Sequence, residues 1–245
     1  MRKLAYVVFA FLFLASCSGN SDKPASEKNG TLEKRKVKAV KPISFLERKC
    51  IASGLVDIGK FDSLIKVELK YSTKDNFMGY DMYGDFDKAY LQKDVAEKLV
   101  NAEKFLTKTK PGYSLIIYDA ARPRSVQLKM WDTLKIPFSE KIKYVANPKT
   151  GGLHNYGAAI DLSIIDELGV PLDMGTAYDF MGDLASTVNE QKMLNEKKLT
   201  QLQLDNRKLL RSAMLSAGLY PIESEWWHFN SCSMEKAAVK YKIIE

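Results

Sequence analysis

The sequence predicts an α+β fold, a single domain in which a small, mainly antiparallel sheet is flanked by helices. Two apolar segments with strand character, 113–118 and 159–165, are separated by a helical segment and a long polar stretch, so strands and helices do not alternate regularly. The chain shows no internal repeat. About 200 residues follow a polar N-terminal stretch, a length that suits one compact domain with a single hydrophobic core.

The first two elements of this domain follow from the spacing of apolar residues. Val67, Leu69 and Tyr71 alternate with polar residues, which predicts a strand with one buried face. Over 91–106 apolar residues recur every three to four positions, which predicts an amphipathic helix that ends before Pro111.

The remaining elements alternate between strand and helix patterns. The run 113–118 predicts a central strand, and a helix is expected to begin near residue 125. Segment 159–165 alternates again, so that Asp161 faces away from its apolar neighbours. A final helix is predicted from Asp205, as its N-cap, to residue 218.

The first sixteen residues have the layout of a secretory signal. Arg2 and Lys3 precede an apolar run over 4–14 that is too short to cross a bilayer comfortably. The tetrad LASC resembles the lipobox of bacterial lipoproteins, in which the signal is cut before a lipid-carrying cysteine. We therefore expect residues 1–16 to be a lipoprotein signal and Cys17 to anchor the exported chain to a bacterial membrane, facing the periplasm or the cell exterior. A plain secretory signal is the alternative.

Residues 17–42 are predicted to be a disordered tether, and the folded domain is expected over 43–245. The tether is rich in Lys, Ser, Glu and Asn and nearly free of large apolar residues. Its cationic stretch LEKRKVKAVK contributes much of the net charge of +7. A nucleic-acid partner is not predicted, because it would require basic residues interleaved with aromatic ones along a groove. No protein partner is predicted either.

Two further cysteines, Cys50 and Cys232, lie near the two ends of the folded part. In an oxidising compartment such a pair can form a disulfide that ties the ends together. The sequence does not supply the distance that a bridge requires. A disulfide and two buried thiols therefore both remain open.

The chain contains only two histidines, and the first lies in a motif that suits a metal ligand. His154 stands in GGLHNYGAAIDLS, in which Asp161 lies between Ile160 and Leu162. Burying an aspartate between apolar neighbours is costly unless a cation or hydrogen bonds compensate its charge. From this motif alone, a metal site and a core aspartate with a loop histidine explain the residues equally well.

The second histidine changes this balance. In ESEWWHFN, Glu225 and His228 flank two tryptophans, so a carboxylate and an imidazole are offered to a site that indoles shield from water. Catalytic zinc commonly has three protein ligands and a water. We predict one Zn²⁺ per chain, held by His154, Asp161 and His228, with Glu225 placed to accept a proton from the water. The alternative interpretation of this segment is that both tryptophans belong to the hydrophobic core and that their polar neighbours have no role in metal binding.

These motifs together resemble one family of zinc peptidases. HNYGAAIDL fits the His, Gly, Ala, Asp pattern of the peptidases that include D-alanyl-D-alanine dipeptidases, D,D-carboxypeptidases and phage-type endopeptidases. EWWH resembles the dipeptidase branch known from vancomycin resistance, whereas the carboxypeptidase branch has a proline between Glu and Trp. The segments KYSTKDNFMG, DAARPRSV, DMGTAYDFM and NRKLLRSAMLSAG resemble dipeptidase segments in the same order. The similarity spans about residues 60 to 230.

The resemblance implies a role for each matching residue. His154, Asp161 and His228 match the zinc ligands, and Glu225 matches the general base. These assignments agree with the ligand set that the two histidine motifs suggest.

Further matches concern the substrate. Arg122 matches the arginine that stabilises the developing oxyanion. Tyr71 and Asp179 match positions that line the substrate pocket, where Asp179 is expected to bind the ammonium group of the dipeptide. Leu153 is a departure, since these dipeptidases have there a serine that helps to hold the substrate. Ala121 stands where they often have tyrosine, and it is expected to widen the pocket.

The sequence thus predicts a zinc-dependent hydrolase that cleaves D-alanyl-D-alanine, or a closely related D,D-dipeptide, to free D-amino acids in cell-wall metabolism. Two alternatives remain. One is a D,D-carboxypeptidase or endopeptidase that acts on peptidoglycan peptides. The other is a non-catalytic lipoprotein that binds wall fragments, and Glu225 argues against it because a closed structural zinc site has no use for a free carboxylate.

Overall fold

The main sheet is built around one central strand, β5 (Ala159–Ile165). The computed structural model describes residues 42–142 and 144–245, which belong to one unit. β5 pairs antiparallel with β4 (Ser114–Asp119) on one side and with β7 (His228–Asn230) on the other. All seven residues of β5 are buried, so both faces of this strand are covered.

The edge strands of this sheet are β2 (Lys66–Val67), which runs parallel to β4, and β6 (Tyr220–Pro221), which is antiparallel to β7. The strand order is therefore β2-β4-β5-β7-β6. A separate antiparallel ladder joins β1 (Val56–Asp57) to β3 (Tyr90–Leu91). The predicted α+β class with a mainly antiparallel sheet is confirmed.

Helices surround this sheet. The α-helices in the described part of the chain are α1 (Phe45–Ala52), α2 (Ile58–Phe61), α3 (Lys93–Thr109), α4 (Arg124–Thr133), α5 (Phe138–Lys141), α6 (Glu190–Asn195), α7 (Gln201–Ser216) and α8 (Met234–Lys240). The same described residues also form the 3₁₀ turns η1 (Lys70–Ser72), η2 (Leu153–Tyr156) and η3 (Asp183–Ala185). Among the described residues, no helix has the length and apolar character needed to span a membrane.

One face of the sheet packs into the main hydrophobic core together with α3 and α7, which pack against each other. That face carries Leu115, Ile117, Ile160, Leu162 and Ile164. The stripe that α3 buries consists of Val95, Ala96, Leu99, Ala102 and Leu106, which is the helical spacing expected from the sequence. The opposite face of the sheet carries a smaller cluster and is the face on which polar side chains gather.

Two predicted element boundaries were wrong. The strand predicted through Tyr71 ends at Val67, because the Tyr71 carbonyl accepts hydrogen bonds from the backbone N–H groups of Met82 and Tyr83 and the chain turns into η1. The helix predicted from Asp205 is α7, and it begins four residues earlier, at Gln201. Its N-cap is Thr200, whose hydroxyl accepts from the Gln203 N–H while the Gln203 side chain accepts from the Thr200 N–H.

Cys50 and Cys232 are both free thiols, so the disulfide alternative is wrong. They pack in different places: Cys50 is fully buried in the main core, whereas Cys232 is half-buried against a separate cluster that includes Leu153 and Tyr156. Burial raises the pKa of the Cys50 thiol to about 12, which makes it unreactive at neutral pH. The predicted signal at 1–16, Cys17 and the tether up to residue 41 lie outside the described residues.

Gly157 allows the chain to turn from η2 into β5. Its φ is +63°, and a Cβ at this position would lie 2.6 Å from Leu55 Cδ2. Gly84 has the same φ of +63° but open space around it. The two glycines therefore share a backbone conformation and differ in packing.

We expect Gly157→Ala to destabilise the protein more than Gly84→Ala. Each substitution places Ala in the left-handed region, at a cost of about 1 kcal/mol. Only Gly157→Ala also displaces the buried Leu55 side chain, at a cost of about 1–3 kcal/mol more. Urea unfolding of both variants measures the difference, and equal losses would show that packing at Gly157 contributes nothing.

Candidate active site

Strand pairing brings the first two predicted ligands together. Asp161 of β5 lies directly opposite His228 of β7, and on its other side it faces Asp119 of β4. Between Ile117 and Asp119 the register of β4 shifts, as in a bulge. The Nδ1 atom of His228 lies 2.9 Å from Asp161 Oδ1.

His154 reaches the same point from η2. Its Nε2 atom lies 3.3 Å from Asp161 Oδ1 and 3.2 Å from His228 Nδ1. The backbone fixes this position, because the His154 carbonyl accepts from the Arg122 N–H at 2.9 Å and from the Gly157 N–H at 3.1 Å. The three atoms predicted to bind zinc thus form a triangle with sides of about 3 Å.

This triangle fits a zinc ion. Ligand atoms about 2.0–2.1 Å from a tetrahedral zinc stand about 3.3 Å apart. The donor set of two imidazoles and one carboxylate also suits this metal, and three protein ligands leave a fourth position for water. Among the described residues, His154, Asp161 and His228 are the group of His, Cys, Asp or Glu side chains whose ligand atoms lie close enough together to hold one metal ion.

Each candidate ligand is oriented by a second hydrogen bond. His154 Nδ1 lies 2.6 Å from the Ala120 carbonyl, so it carries the proton and Nε2 is free to bind an ion. His228 is arranged the opposite way: Nε2 donates to Asn230 Oδ1 at 2.8 Å, which leaves Nδ1 facing the cluster. The Tyr178 hydroxyl donates to Asp161 Oδ2 at 3.0 Å, which leaves Oδ1 for the ion.

The cluster attracts positive charge. Burial disfavours the Asp161 carboxylate, but attraction and hydrogen bonding by His154 and His228 outweigh it and hold the pKa of Asp161 well below its usual range. Burial would lower the pKa of His228, yet the hydrogen bond and charge of Asp161 raise it to about 9. A negative charge is therefore fixed at the centre of the three side chains before any ion binds.

Glu225 stands beside the ligands without belonging to the triangle. Its Oε2 atom lies 3.9 Å from His228 Nδ1, and its side chain is 29% exposed. Burial raises the pKa of Glu225 above its ordinary value, and His228 opposes the shift. A carboxylate with a raised pKa next to a metal cluster is suited to accepting and returning a proton.

Arg122 is held rigidly at the end of β4. Its Nε and Nη2 atoms donate to Asp119 Oδ2 at 3.0 and 2.5 Å, and the Tyr83 hydroxyl donates to Asp119 Oδ1 at 2.5 Å. The guanidinium also lies over the Tyr71 ring, 5.0 Å from its centroid. Burial by itself would lower the pKa of Arg122, but Asp119 together with nearby tyrosines outweighs burial and keeps this pKa well above its usual value, so the group stays cationic.

Asp179 is a buried carboxylate in an unusual backbone conformation. Its φ is +60°, which is uncommon for a residue other than glycine. Burial, followed by repulsion from Asp161, raises the pKa of Asp179 to about 8, while a hydrogen bond with Tyr71 opposes this shift. A buried carboxylate with a raised pKa gains from a cationic partner.

All seven side chains predicted for catalysis, metal binding and substrate binding line one cavity of about 400 Å³. They are Tyr71, Arg122, His154, Asp161, Asp179, Glu225 and His228. Leu153 also lines this cavity, whereas Ala121 is packed in the main core and does not widen it. Trp226 and Trp227 are buried, but neither lines this cavity, so the predicted shielding by indoles is not seen at its walls.

Comparison with known proteins shows the family of the chain. The family model Peptidase_M15, described as D-ala-D-ala dipeptidase, matches residues 52–243, which is most of the chain and includes all seven side chains. The chain belongs to this peptidase family. A D-alanyl-D-alanine dipeptidase of Escherichia coli K12 is 34% identical over 71% of the chain and 83% of its own length. One from Enterococcus faecium is 30% identical over 67% of the chain and 85% of its own length.

Sequence reasoning missed several residues that support the site of this Peptidase_M15 member. Tyr83 and Tyr178 contact Asp119 and Asp161 from other segments, and no local pattern marks these two tyrosines. Asp119 lies three residues before Arg122, in the segment DAARPRSV, and holds its guanidinium. Asn230 was detectable, because it lies two residues after His228 and side chains two apart in a strand share a face.

Asn230→Ala is expected to weaken metal binding about 10- to 100-fold, because the outer hydrogen bond of a ligand histidine fixes its ring and raises its basicity. Competition with a chromophoric chelator measures the affinity for Zn²⁺. Asn206→Ala is the matched control. It removes one hydrogen bond from an asparagine side chain, which donates to the Asp173 carbonyl and contacts none of the candidate metal ligands. Wild-type affinity in Asn230→Ala would contradict a role for Asn230 in orienting His228.

Proposed function

We propose that the protein is a zinc-dependent dipeptidase that hydrolyses D-alanyl-D-alanine, or a closely related D,D-dipeptide, to free D-amino acids in cell-wall metabolism. The observation that carries the proposal is the convergence of a metal-binding triangle, a carboxylate and an arginine on one cavity. The relatives that bear the name D-alanyl-D-alanine dipeptidase support the choice of substrate.

His154, Asp161 and His228 would hold the zinc ion through the three atoms described above. When bound, the ion supplies a Lewis acid for the scissile carbonyl and lowers the pKa of a water towards about 7. The side chains of the cavity perform the remaining work of binding, orientation and proton transfer.

Glu225 acts as the general base and then as the general acid. Its carboxylate takes a proton from the attacking water while the water oxygen bonds to the carbonyl carbon. The same group then gives the proton to the leaving nitrogen as the C–N bond breaks, so that one carboxylate and one amine are released. Its raised pKa favours holding the proton between these two steps.

Arg122 stabilises the negative charge that develops on the carbonyl oxygen. A fixed cation contributes to catalysis when it binds the transition state more strongly than the substrate. The Asp119 carboxylate keeps the guanidinium in place before the substrate arrives, because it is fully buried and accepts two hydrogen bonds from Arg122.

Asp179 and Tyr71 define the amino end of the substrate site. The buried Asp179 carboxylate is the partner that the dipeptide ammonium would meet, and Tyr71 orients it by a hydrogen bond. Leu153 places an apolar side chain in the cavity, where it packs against the substrate without donating a hydrogen bond.

Release of D-alanine tests this function directly. We expect the purified protein with Zn²⁺ to cleave D-alanyl-D-alanine and to lose the activity in a chelator. Intact muropeptides should not be cleaved. Cleavage of muropeptides but not of the dipeptide would assign the protein to wall hydrolysis instead, and release from neither would favour a binding protein.

In the same assay, Glu225→Gln is expected to lower kcat by about 10²- to 10⁴-fold, the usual contribution of general acid–base catalysis. Zinc content should remain at the wild-type level, because Glu225 is not a ligand. Glu223→Gln is the matched control, since Glu223 is exposed in the same segment and should leave turnover unchanged. Turnover near wild type in Glu225→Gln would remove Glu225 from the mechanism.

We also propose that the protein is an exported lipoprotein, anchored through Cys17 to a bacterial membrane. The support is the signal-like N terminus and the LASC motif. In a bacterial host, radiolabelled palmitate should enter the wild-type protein, and Cys17→Ser should lose both the label and the membrane association. A labelled Cys17→Ser variant would contradict lipidation at this residue.

A further inference from the structure

Arg207 of α7 is a buried cation that takes no direct part in the chemistry proposed above. Its side chain is fully buried, and it does not line the catalytic cavity. Burial lowers the pKa of Arg207, and the charge and hydrogen bond of Glu190 oppose this shift. Burying a guanidinium is costly unless its donors are satisfied. The partners of Arg207 therefore indicate what the residue contributes.

Most partners of this arginine are backbone carbonyls of one segment. Its Nε atom donates to the Met174 carbonyl at 2.7 Å, and its Nη2 atom donates to the Leu184 carbonyl at 2.9 Å. Its Nη1 atom lies 3.4 Å from the Ser186 carbonyl and 3.5 Å from Glu190 Oε1. One guanidinium thus holds both ends of the segment 174–186.

Between its two ends, this segment reaches the candidate active site. Tyr178 donates to Oδ2 of Asp161, one of the candidate zinc ligands. Asp179 and Met181 line the catalytic cavity. Residues 174–186 contain no α-helix or strand, so repeated backbone hydrogen bonds do not fix their path. Contacts with other parts of the protein must hold the segment in place.

Some of these contacts hold the middle of the segment. The Trp226 indole N–H donates to Thr176 Oγ1 at 2.7 Å, and Asp179 Oδ2 accepts the Phe77 N–H at 3.5 Å. Arg207 is different, because it bonds to carbonyls on both sides of this middle part. Its removal would release the two ends together.

Arg211 lies one turn further along α7 and offers a comparison. Its Nη1 and Nη2 atoms donate to the two carboxylate oxygens of Glu190, at 2.9 and 2.5 Å. Arg207 reaches the same carboxylate at 3.5 Å. Glu190 is therefore the main partner of Arg211, whereas the carbonyls of the segment 174–186 are the main partners of Arg207.

We propose that Arg207 is a positioning residue for the active site and that it acts through the segment 174–186. By holding both ends of the segment, it keeps the Tyr178 hydroxyl on Asp161 and keeps Asp179 in the wall of the cavity. The inference deepens the dipeptidase function proposed above and rests on it for the identity of the metal and of the substrate.

Zinc affinity should depend on Arg207 through Asp161. A hydrogen bond to the outer oxygen of a ligand carboxylate orients that ligand, and its loss typically costs about 10- to 100-fold in metal affinity. Tyr178 supplies this hydrogen bond, to Oδ2 of Asp161. A segment released at both ends no longer holds the Tyr178 hydroxyl in place.

A measurement of zinc affinity tests this role without relying on catalysis. Arg207→Met keeps a long side chain and removes every donor, and it is expected to weaken Zn²⁺ binding about 10-fold or more. Arg211→Met is the matched control, because it removes the ion pair with Glu190 and none of the carbonyl contacts. Its affinity should stay near that of the wild type. Competition with a chromophoric chelator gives the affinity, and circular dichroism reports the fold of each variant.

A double-mutant cycle with Tyr178→Phe shows whether the effect passes through the segment. Tyr178→Phe already lacks the hydroxyl that bonds to Asp161. Adding Arg207→Met to this variant should therefore weaken zinc binding by no more than about 3-fold. General destabilisation of the site would instead produce the same loss in both backgrounds.

Steady-state kinetics at saturating Zn²⁺ test the effect on the substrate. Arg207→Met is expected to raise KM for D-alanyl-D-alanine about 10-fold and to change kcat much less. The reason is that Asp179 belongs to the segment that Arg207 holds, whereas Glu225 and Arg122 lie elsewhere in the chain. A fall in kcat with an unchanged KM would contradict the role assigned to the segment at Asp179.

Wild-type zinc affinity in a folded Arg207→Met variant would overturn the proposal. So would an equal loss in Arg211→Met, or equal losses in the two backgrounds of the cycle. If Arg207→Met does not fold, Arg207→Lys repeats the test, since lysine keeps the charge but cannot span both ends of the segment. Failure of both variants to fold would assign Arg207 to folding and overturn the proposal too.

The wild-type protein separates these outcomes from a failure of the proposed function. A wild-type protein that binds Zn²⁺ and does not cleave the dipeptide would contradict the function, whereas the zinc cycle would still decide the role of Arg207. A wild-type protein without affinity for Zn²⁺ would contradict both.

Discussion

The pairing of β5 with both of its neighbours is the constraint on which the site depends. It places Asp119, Asp161 and His228 side by side across three strands, in the interior of the protein. Two buried carboxylates in one row would be costly without cations, because burial penalises charge. Arg122 compensates Asp119, and Asp161 has His228 and the Tyr178 hydroxyl as hydrogen-bond partners. The register of the sheet therefore requires the arginine and the histidine beside the two carboxylates.

The polar centre is satisfied by partners from several segments. Among the described residues, no buried side-chain nitrogen or oxygen lacks a hydrogen bond. Ala120 and Asn230 set the tautomers of the two histidines, and Tyr83 and Tyr178 hold the two aspartates. A network of this kind is preorganised, so the catalytic groups do not need to reorient when the substrate binds. The surrounding apolar core supplies the rigidity, since α3 and α7 pack with the sheet in that core.

The sequence by itself determined the fold class, β4, β5, α3 and the identity of the ligand candidates, because each follows from local periodicity or from a short motif. It also pointed to Glu225 and Arg122 through their motifs. The strand predicted through Tyr71 was wrong, because the Tyr71 carbonyl accepts hydrogen bonds from the Met82 and Tyr83 N–H groups instead of pairing in a sheet. The predicted start of α7 was also wrong, because the helix is capped at Thr200. The thiol state of Cys50 and Cys232 and the hydrogen bond from Tyr83 to Asp119 were decided by tertiary structure alone. They depend on distances between segments far apart in the chain, and a sequence pattern contains no such distances.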